Sequence, residues 1–286
     1  MRALIRDTEI FFDIDGAGLV PDGGRMRERP TGFLIHGGPG SDHSGFKPSM
    51  SPLAEHMQLV YFDHRGQGRS ARGDPARYAL DENVEDMEAL RRHLGLGPIA
   101  SIGTSYGGMV AMAHAARYPE AVSRLVLIVT AAHGGFIPRA QEILRQRGNA
   151  EQIQAGDMLW AGGFRSEEDL RRYYDAMGPL YARTHDPALA AGTRLRGIVS
   201  PDAINRAFGP GGFLRDMDLR PELARITAPT LVLAGRHDWI CPPEFSEEIH
   251  RLIPGSALRI FEDSSHSIRV DEPEALRAAI AAFVAG

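Results

Sequence analysis

The sequence has one cysteine, one lysine and no long apolar run. Cys241 has no partner for an internal disulfide, so nothing requires an oxidising compartment. The formal net charge is −5, and because nucleic-acid binding needs a clustered basic surface, we expect no nucleic-acid partner. No segment approaches the ~20 apolar residues of a membrane span, and acidic residues interrupt residues 1–15, where a signal peptide would be apolar. We therefore expect a cytoplasmic protein without a membrane partner.

What is present is the composition of an ordinary globular protein, with 43% hydrophobic and 24% charged residues in 286. Apolar runs alternate with amphipathic segments, which predicts an α/β protein with a mostly parallel central sheet flanked by helices. The predicted strands are 9–15, 32–36, 59–63, 99–103, 124–130, 229–235 and 258–261. The predicted helices are 83–94, 106–118, 139–147, 167–177, 243–252 and 273–284.

The alternation of strand and helix breaks between residues 131 and 219, where helical patterns occur without a strong strand. We expect residues 1–130 and 220–286 to form the core domain, and residues 131–219 to form an inserted helical lid. Open α/β sheets bind ligands at the carboxyl ends of their strands, so the lid should cover that edge. The alternative is a second domain with no role in the site.

The strongest local pattern is SIGTSYGG, in which residues 103–107 match G-x-S-x-G between a predicted strand and a predicted helix. A serine on such a sharp turn is exposed at the top of the sheet, and the helix N-terminus points at the reacting carbonyl. Gly103 and Gly107 remove Cβ atoms where strand and helix approach closely. This setting predicts that Ser105 is a nucleophile of the α/β-hydrolase fold, and Ser101 and Ser123 lack it.

The oxyanion of an acyl-transfer reaction needs two backbone N–H donors. One is expected from Tyr106, the residue after the nucleophile, and the other from the loop HGGPG at residues 36–40. We favour Gly38 as the second donor over Gly37. His36 ends a buried strand, so a structural role is preferred to proton transfer.

Eleven histidines are available as the base, and their position in the chain separates them. In this fold the order is nucleophile, acid, base, with the base on the loop between the last strand and the last helix. His266 lies on that loop, and Asp238 follows the strand that resumes after the lid. The carboxylate would hold the imidazole tautomer and stabilise the imidazolium. Asp263 and Asp271 are the alternative acids.

No metal-binding or dinucleotide-binding pattern is convincing, so we expect neither a metal nor a cofactor. Asp63, in the segment DHRGQGRS, is expected to be structural, with its turn packed beside the oxyanion loop. Dehalogenases and epoxide hydrolases of this fold resemble this chain but carry Asp where Ser105 stands, so those reactions are disfavoured.

The combination of HGGPG, DHRGQGRS and GTSYGG resembles the proline iminopeptidase group of α/β-hydrolases, especially its tricorn-interacting-factor branch, over residues 31–130 and 229–285. The resemblance implies Ser105, Asp238 and His266 as triad and Gly38 and Tyr106 as oxyanion donors. It implies a small amide or ester substrate, such as an N-terminal proline peptide. Those peptidases bind the free α-amine of the substrate with glutamates, and no lid carboxylate of this sequence can be matched to those glutamates. These lid carboxylates are expected on solvated helix faces: Glu142, Glu151, Asp157, Glu167, Glu168 and Asp175.

Two enzymatic hypotheses follow, both with a small molecule or short peptide as the partner. One is an aminopeptidase of the proline iminopeptidase type, and the other is a carboxylesterase or amidase with an apolar lid pocket. The candidate lining residues are Phe136, Ile137, Trp160, Phe164, Tyr173, Tyr174, Phe208 and Phe213. A non-enzymatic binding protein on the same fold is a third hypothesis. No sequence feature predicts an oligomeric state.

Overall fold

The chain folds around one large sheet. The computed structural model describes residues 1–286, apart from the side chain of Arg194. The strands are β1 (Arg2–Ile5), β2 (Thr8–Asp15), β3 (Leu19–Asp22), β4 (Arg25–Glu28), β5 (Thr31–Ile35), β6 (Gln58–Phe62), β7 (Ile99–Thr104), β8 (Val122–Ile128), β9 (Thr230–Gly235) and β10 (Ala257–Phe261).

Helices connect these strands and also fill the segment between β8 and β9. The α-helices are α1 (Leu80–His93), α2 (Tyr106–Arg117), α3 (Phe136–Arg147), α4 (Ala150–Ala161), α5 (Glu167–Tyr181), α6 (Pro187–Arg196), α7 (Pro201–Phe208), α8 (Phe213–Asp216), α9 (Pro243–Leu252), α10 (Ile268–Asp271) and α11 (Pro273–Ala285). Short 3₁₀ helices lie at His43–Gly45, Ser51–Glu55, Pro75–Arg77, Pro119–Ala121 and Arg220–Arg225.

The sheet has eight strands in the order β1-β2-β6-β5-β7-β8-β9-β10. The strand β1 pairs antiparallel with β2, and β2 pairs antiparallel with β6. The remaining neighbours in the sheet, in the order β6-β5-β7-β8-β9-β10, are parallel to one another. The predicted mostly parallel sheet with flanking helices is therefore confirmed. Parallel strands bring their carboxyl ends to one edge, and both β5 and β7 end there.

Two hydrophobic layers cover the two faces of the sheet. Along β5, Phe33 and Ile35 belong to the layer that includes α1, α2 and α9, while Leu34 belongs to the layer that includes α11. Successive strand residues point to opposite faces, so a strand buried on both sides reads as a continuous apolar run. That is why these central strands were predictable.

Some elements at the start of the chain were not predicted. The strand β1 was not predicted. The Gly/Pro-rich stretch 16–30, expected to be a turn, contains the hairpin β3–β4 with Gly23 at φ +61°. The hairpin residues are mostly exposed, so no apolar alternation marks them. Helix α1 begins at Leu80, three residues before the predicted start, with Asp81 and Glu82 in its first turn. Acidic residues there favour the helix N-terminus.

Between β8 and β9 the described chain forms helices α3 to α8 and no named strand. The segment meets the carboxyl edge of the sheet: Ser200 N–H donates to Gly40 O at 2.9 Å, just beyond β5. We refer to residues 131–219 as the lid, and the division of the chain into a core domain and an inserted lid stays a prediction. Among the described residues no helix is long and apolar enough to cross a membrane. The cytoplasmic location stays a prediction.

Candidate active site

Ser105 lies on the turn between β7 and α2, as predicted. Its backbone has φ +54° and ψ −123°, a conformation that residues with a side chain rarely adopt. The peptide is held on both sides, because Ser105 N–H donates to Ile128 O at 2.8 Å and Thr130 Oγ1 donates to Ser105 O at 2.7 Å. The strained turn is therefore fixed by the neighbouring strand.

The two glycines of the turn are required by close backbone contacts. A Cβ on Gly107 would lie 2.0 Å from Ile35 O, and a Cβ on Gly103 would lie 2.2 Å from Gly107 O. Backbone atoms cannot move aside as a flexible side chain can, so neither position accepts alanine without a shift of strand or helix. This is the close approach that the pattern of residues 103–107 predicts.

Asp238 and His266 meet beyond the ends of β9 and β10. His266 Nδ1–H donates to Asp238 Oδ2 at 2.7 Å. The other carboxylate oxygen accepts the backbone N–H groups of Ile240 at 2.9 Å and Cys241 at 3.0 Å. Asp238 is buried, so these bonds satisfy a carboxylate that has little contact with water. An acceptor at Nδ1 leaves His266 Nε2 as the ring nitrogen for proton transfer.

The alternative acids occupy different environments. Asp263 is exposed. Asp271 accepts the backbone N–H of Ser265 at 2.9 Å through one oxygen, and the N–H and Oγ1–H of Thr184 at 2.8 and 2.9 Å through the other. Asp271 therefore ties the lid to the loop of His266, and Asp238 is the carboxylate that contacts the imidazole.

The loop at residues 36–40 lies against Ser105. A Cβ on Gly37 would be 3.0 Å from Ser105 Cβ and 3.7 Å from Ser105 Oγ. Gly38 has φ +113°, which favours glycine. Tyr106 is the first residue of α2, so its N–H belongs to the helix-start amides that have no intrahelical acceptor. Tyr106 thus follows the serine directly, and the loop that contains Gly38 contacts it through Gly37. The assignment of Gly38 and Tyr106 as oxyanion donors stays a prediction.

The segment DHRGQGRS makes hydrogen bonds to this loop and to the residues that follow it. Asp63 Oδ1 accepts the N–H and the Nδ1–H of His43, both at 2.8 Å, and Gln67 Oε1 accepts the N–H of Gly40 at 2.6 Å. Burial would raise the pKa of Asp63, but the hydrogen bond from His43, together with smaller effects that include the N–H of Arg69, outweighs it and keeps this pKa below its usual value. Asp63 is thus structural, and the expected packing of its turn beside the oxyanion loop is observed.

His36 is buried beside His64, with ring centroids 4.3 Å apart. Burial lowers the pKa of both imidazoles, for His64 well below its ordinary value, with nearby Asp63 opposing the shift only in part. Both rings are therefore neutral at physiological pH. This agrees with the structural interpretation of His36 and not with proton transfer to substrate.

The lid places tyrosines next to His266 and Ser41. The Tyr181 ring lies 5.5 Å from the His266 ring and 5.5 Å from the Trp239 ring, and Tyr174 Oη is 3.1 Å from Ser41 Oγ. Burial raises the pKa of Tyr181 well above its usual range, so its hydroxyl is neutral. Sequence reasoning missed Tyr181, because the end of a helix in an insertion carries no pattern that points to the base.

Most of the proposed pocket-lining residues are buried in this structure. Tyr174 and Phe213 are only partly buried. The other six form the interior of the lid: Phe136, Ile137, Trp160, Phe164, Tyr173 and Phe208. Their rings contact one another, as in the pairs Phe164–Tyr173 at 5.4 Å and Trp160–Phe208 at 5.8 Å. These aromatic residues therefore pack against one another in the lid, and the expectation that they line a substrate pocket stays a prediction.

The six lid carboxylates singled out in the sequence are all exposed, as predicted. Among the described side chains, no group of three His, Cys, Asp or Glu residues could hold a metal ion. The carboxylate in contact with His266 is Asp238. The lid side chains described above beside Ser41 and His266 are the hydroxyl of Tyr174 and the ring of Tyr181.

This arrangement of strand, serine turn, inserted lid and late acid–base pair defines a class of protein. A family profile described as the alpha/beta hydrolase fold matches residues 33–273, so the chain belongs to the α/β-hydrolase family. The protein is a hydrolase of this fold.

The chain is also similar to proteins with named functions. The chain is 31% identical over 269 residues to a protein named proline iminopeptidase PfmaB from Pestalotiopsis fici, covering 92% of this chain and 94% of the relative. Two solved structures show the same fold: a proline iminopeptidase from Mycobacterium smegmatis (TM-score 0.77, 24% identity, 100% and 97% covered) and an enol-lactonase from Burkholderia xenovorans (TM-score 0.75, 24% identity, 100% of both chains).

Proposed function

We propose that this protein is a serine hydrolase that cleaves a small amide or ester through an acyl-enzyme on Ser105. The observation that carries the proposal is the buried hydrogen bond between His266 Nδ1 and Asp238 Oδ2, 2.7 Å long, in a fold that presents a serine at φ +54° on the same edge. A histidine held by a buried carboxylate is the base that such a serine needs.

Each residue has a step in the reaction. His266 Nε2 takes the proton as Ser105 Oγ attacks the substrate carbonyl, and Asp238 stabilises the imidazolium. The N–H groups of Gly38 and Tyr106 donate to the oxyanion of the tetrahedral intermediate. His266 then gives the proton to the leaving amine or alcohol. Water hydrolyses the acyl-enzyme by the same steps, and Ser105 is regenerated.

For the substrate, we propose a small amide with an N-terminal proline, as an aminopeptidase of the proline iminopeptidase type cleaves. The support is the 31% identity to a relative of that name across 92% of the chain. Under this hypothesis the substrate is a short peptide.

A second candidate, a carboxylesterase or amidase, is favoured by one feature of the lid. The free α-amine of a peptide is a cation, and a buried cation needs a carboxylate partner. The six lid carboxylates named above are exposed, whereas the Tyr174 hydroxyl lies beside Ser41 and the Tyr181 ring beside His266. An uncharged acyl group suits these neutral neighbours.

Three substrates separate the two candidates. They are a proline aryl-amide with a free amine, the same amide with the nitrogen blocked, and a short-chain aryl ester. The aminopeptidase predicts a strong preference in kcat/KM for the free amine over the blocked amide. Equal rates on both amides, or activity on the ester alone, would support the second candidate.

A fluorophosphonate probe tests the serine mechanism itself. We expect a mass shift on the peptide that contains Ser105, loss of labelling in Ser105→Ala, and normal labelling in Ser123→Ala as the matched control. An unlabelled wild-type protein without esterase or amidase activity would favour the non-enzymatic binding hypothesis.

A further inference from the structure

The orientation of the peptide between Gly37 and Gly38 decides whether the proposed oxyanion donor faces the substrate. This peptide is trans, so its carbonyl and its N–H point in opposite directions. Two successive glycines impose little conformational preference of their own. If the peptide turned over, Gly37 O would replace Gly38 N–H and repel the developing negative charge. Something outside the two glycines must therefore hold this peptide.

The side chain of His36 makes that contact. His36 Nδ1 lies 2.8 Å from Gly37 O, and His36 Nε2 lies 3.1 Å from the backbone N of His64. The His64 amide can only donate and the Gly37 carbonyl can only accept. Both contacts are satisfied by a single form of the ring, the neutral imidazole with its proton on Nδ1.

Buried neighbours hold the His36 ring in this tautomer and in this position. His36 is 2% exposed and His64 is 1% exposed, and the His64 ring packs edge-on against Phe62 and Tyr106. Since the Gly37 carbonyl is held by a buried side chain, the Gly38 N–H points away from the core. The loop lies against Ser105.

We propose that His36 is a positioning residue for the oxyanion hole, acting through the Nδ1–H bond that orients the Gly37–Gly38 peptide. The backbone amide of His64 selects the tautomer that makes this bond. The proposal rests on the proposed function in that Gly38 N–H is taken as an oxyanion donor. It also accounts for the preference for Gly38 over Gly37, because the N–H opposite the held carbonyl belongs to Gly38.

Two substitutions separate the two ring nitrogens. The amide nitrogen of His36→Asn can occupy the position of Nδ1 and donate to Gly37 O, whereas the amide of His36→Gln can occupy the position of Nε2 and leaves Gly37 O without its donor. Removing one oxyanion donor costs about 10²–10³ in kcat, so we expect about 10² loss for His36→Gln and less than about tenfold for His36→Asn, with KM nearly unchanged in both.

Kinetics on the aryl ester and thermal unfolding of both variants test this split. A merely structural histidine would lower the unfolding midpoint without separating kcat from KM. Equal kcat in the two variants, or better activity in His36→Gln, would overturn the proposal.

Nitrogen NMR of wild-type protein labelled in histidine tests the tautomer without any substitution or activity. We expect His36 to carry its proton on Nδ1 at neutral pH, and a proton on Nε2 would overturn the proposal even if both variants fail to fold. An inactive wild-type protein with the expected tautomer would instead contradict the proposed function and leave the geometry of the peptide intact.

Discussion

At the scale of the residue, the backbone conformation of Ser105 is stabilised by contacts from neighbouring residues. Its positive φ costs free energy, of order 1–3 kcal/mol for a residue with a side chain. Hydrogen bonds from Ser105 N–H to β8 and from Thr130 Oγ1 to Ser105 O hold the peptide in place. The turn places the Ser105 hydroxyl beside the loop that contains Gly37. The proposed nucleophile is therefore also the residue whose backbone is strained.

Asp238→Asn should keep the fold and lose activity. An amide at this position no longer stabilises the imidazolium of His266 and can favour the wrong tautomer, so kcat should fall by roughly 10³–10⁴. Steady-state kinetics and far-UV circular dichroism measure the two effects. Asp263→Asn, an exposed carboxylate on the loop of His266, is the control and should retain its rate. Near-full activity of Asp238→Asn would make Asp263 or Asp271 the better acid.

Gly107→Ala should destabilise the protein far more than an ordinary glycine substitution. The added Cβ would lie 2.0 Å from Ile35 O, so β5 or α2 must move, at a cost of more than about 3 kcal/mol. Gly97→Ala is the control, because a Cβ there meets no atom within 4 Å. Thermal unfolding of the two variants gives the comparison. Similar midpoints would mean that the strand and helix are not held at this distance.

At the scale of the element, α1 and α2 are joined through the buried carboxylate of Glu88. Its carboxylate accepts from Arg91 at 2.7 and 2.8 Å, from Arg92 at 2.7 Å and from His114 Nε2 at 3.0 Å. Burial would raise the pKa of Glu88, but the hydrogen bonds from Arg91 and His114 outweigh it, and the pKa lies far below its usual value. Glu88 therefore stays ionised in the folded state.

Glu88→Gln should lower the free energy of unfolding at pH 7 by about 3 kcal/mol, since breaking a buried pair leaves cations without their partner. A carboxylate whose pKa is lowered by folding stabilises above its unfolded pKa, about 4.3, and loses that effect as the pH falls further. Urea titrations should therefore show the deficit of the variant shrink below about pH 4. Glu55→Gln, an exposed glutamate, is the control. A deficit independent of pH would contradict this assignment.

The end of α5 is fastened to the loop of His266. Ser267 N–H donates to Tyr181 O at 2.8 Å, and Asp271 accepts from Thr184 and Ser265. Asp271→Ala removes the carboxylate, so local opening should become at least about tenfold more frequent, or about 1.4 kcal/mol easier. Trypsin cleavage after the exposed Arg183 measures the opening, with Asp263→Ala as the matched control. Unchanged cleavage would show that other contacts hold the lid.

At the scale of the whole molecule, the buried histidines predict sensitivity to acid. Folding lowers the pKa of His36 and His64, so the unfolded state binds more protons below about pH 6.5. Stability therefore rises with pH in this range and is lost as the pH falls below about 6.5, by up to about 1.4 kcal/mol per pH unit for each histidine.

Urea unfolding between pH 7.5 and 5 checks this expectation. His64→Gln removes one titrating group and should reduce the pH dependence, whereas His56→Gln, at an exposed site, should leave it unchanged. Identical pH dependence in His64→Gln and the wild-type protein would show that His64 does not take up a proton on unfolding.

The central strands and the serine turn were predictable because their physical causes are local in sequence. Strands such as β5 and β9 are buried on both faces, so they read as apolar runs. Gly103 and Gly107 flank Ser105 because steric limits act within a few residues. The exposed hairpin β3–β4 gives no such pattern, and the start of α1 carries no side-chain cap that would mark it.

The sequence by itself determined the order of strands and helices, the serine turn, and the candidate acid and base at their places after β9 and β10. Only the tertiary structure decided which side chains meet. It brought Asp238 to His266, Tyr181 onto the imidazole and His36 to the Gly37 carbonyl. Helical spacing identifies an apolar face but not the surface that it covers, so the lid aromatics could be recognised from sequence, and their burial inside the lid could not.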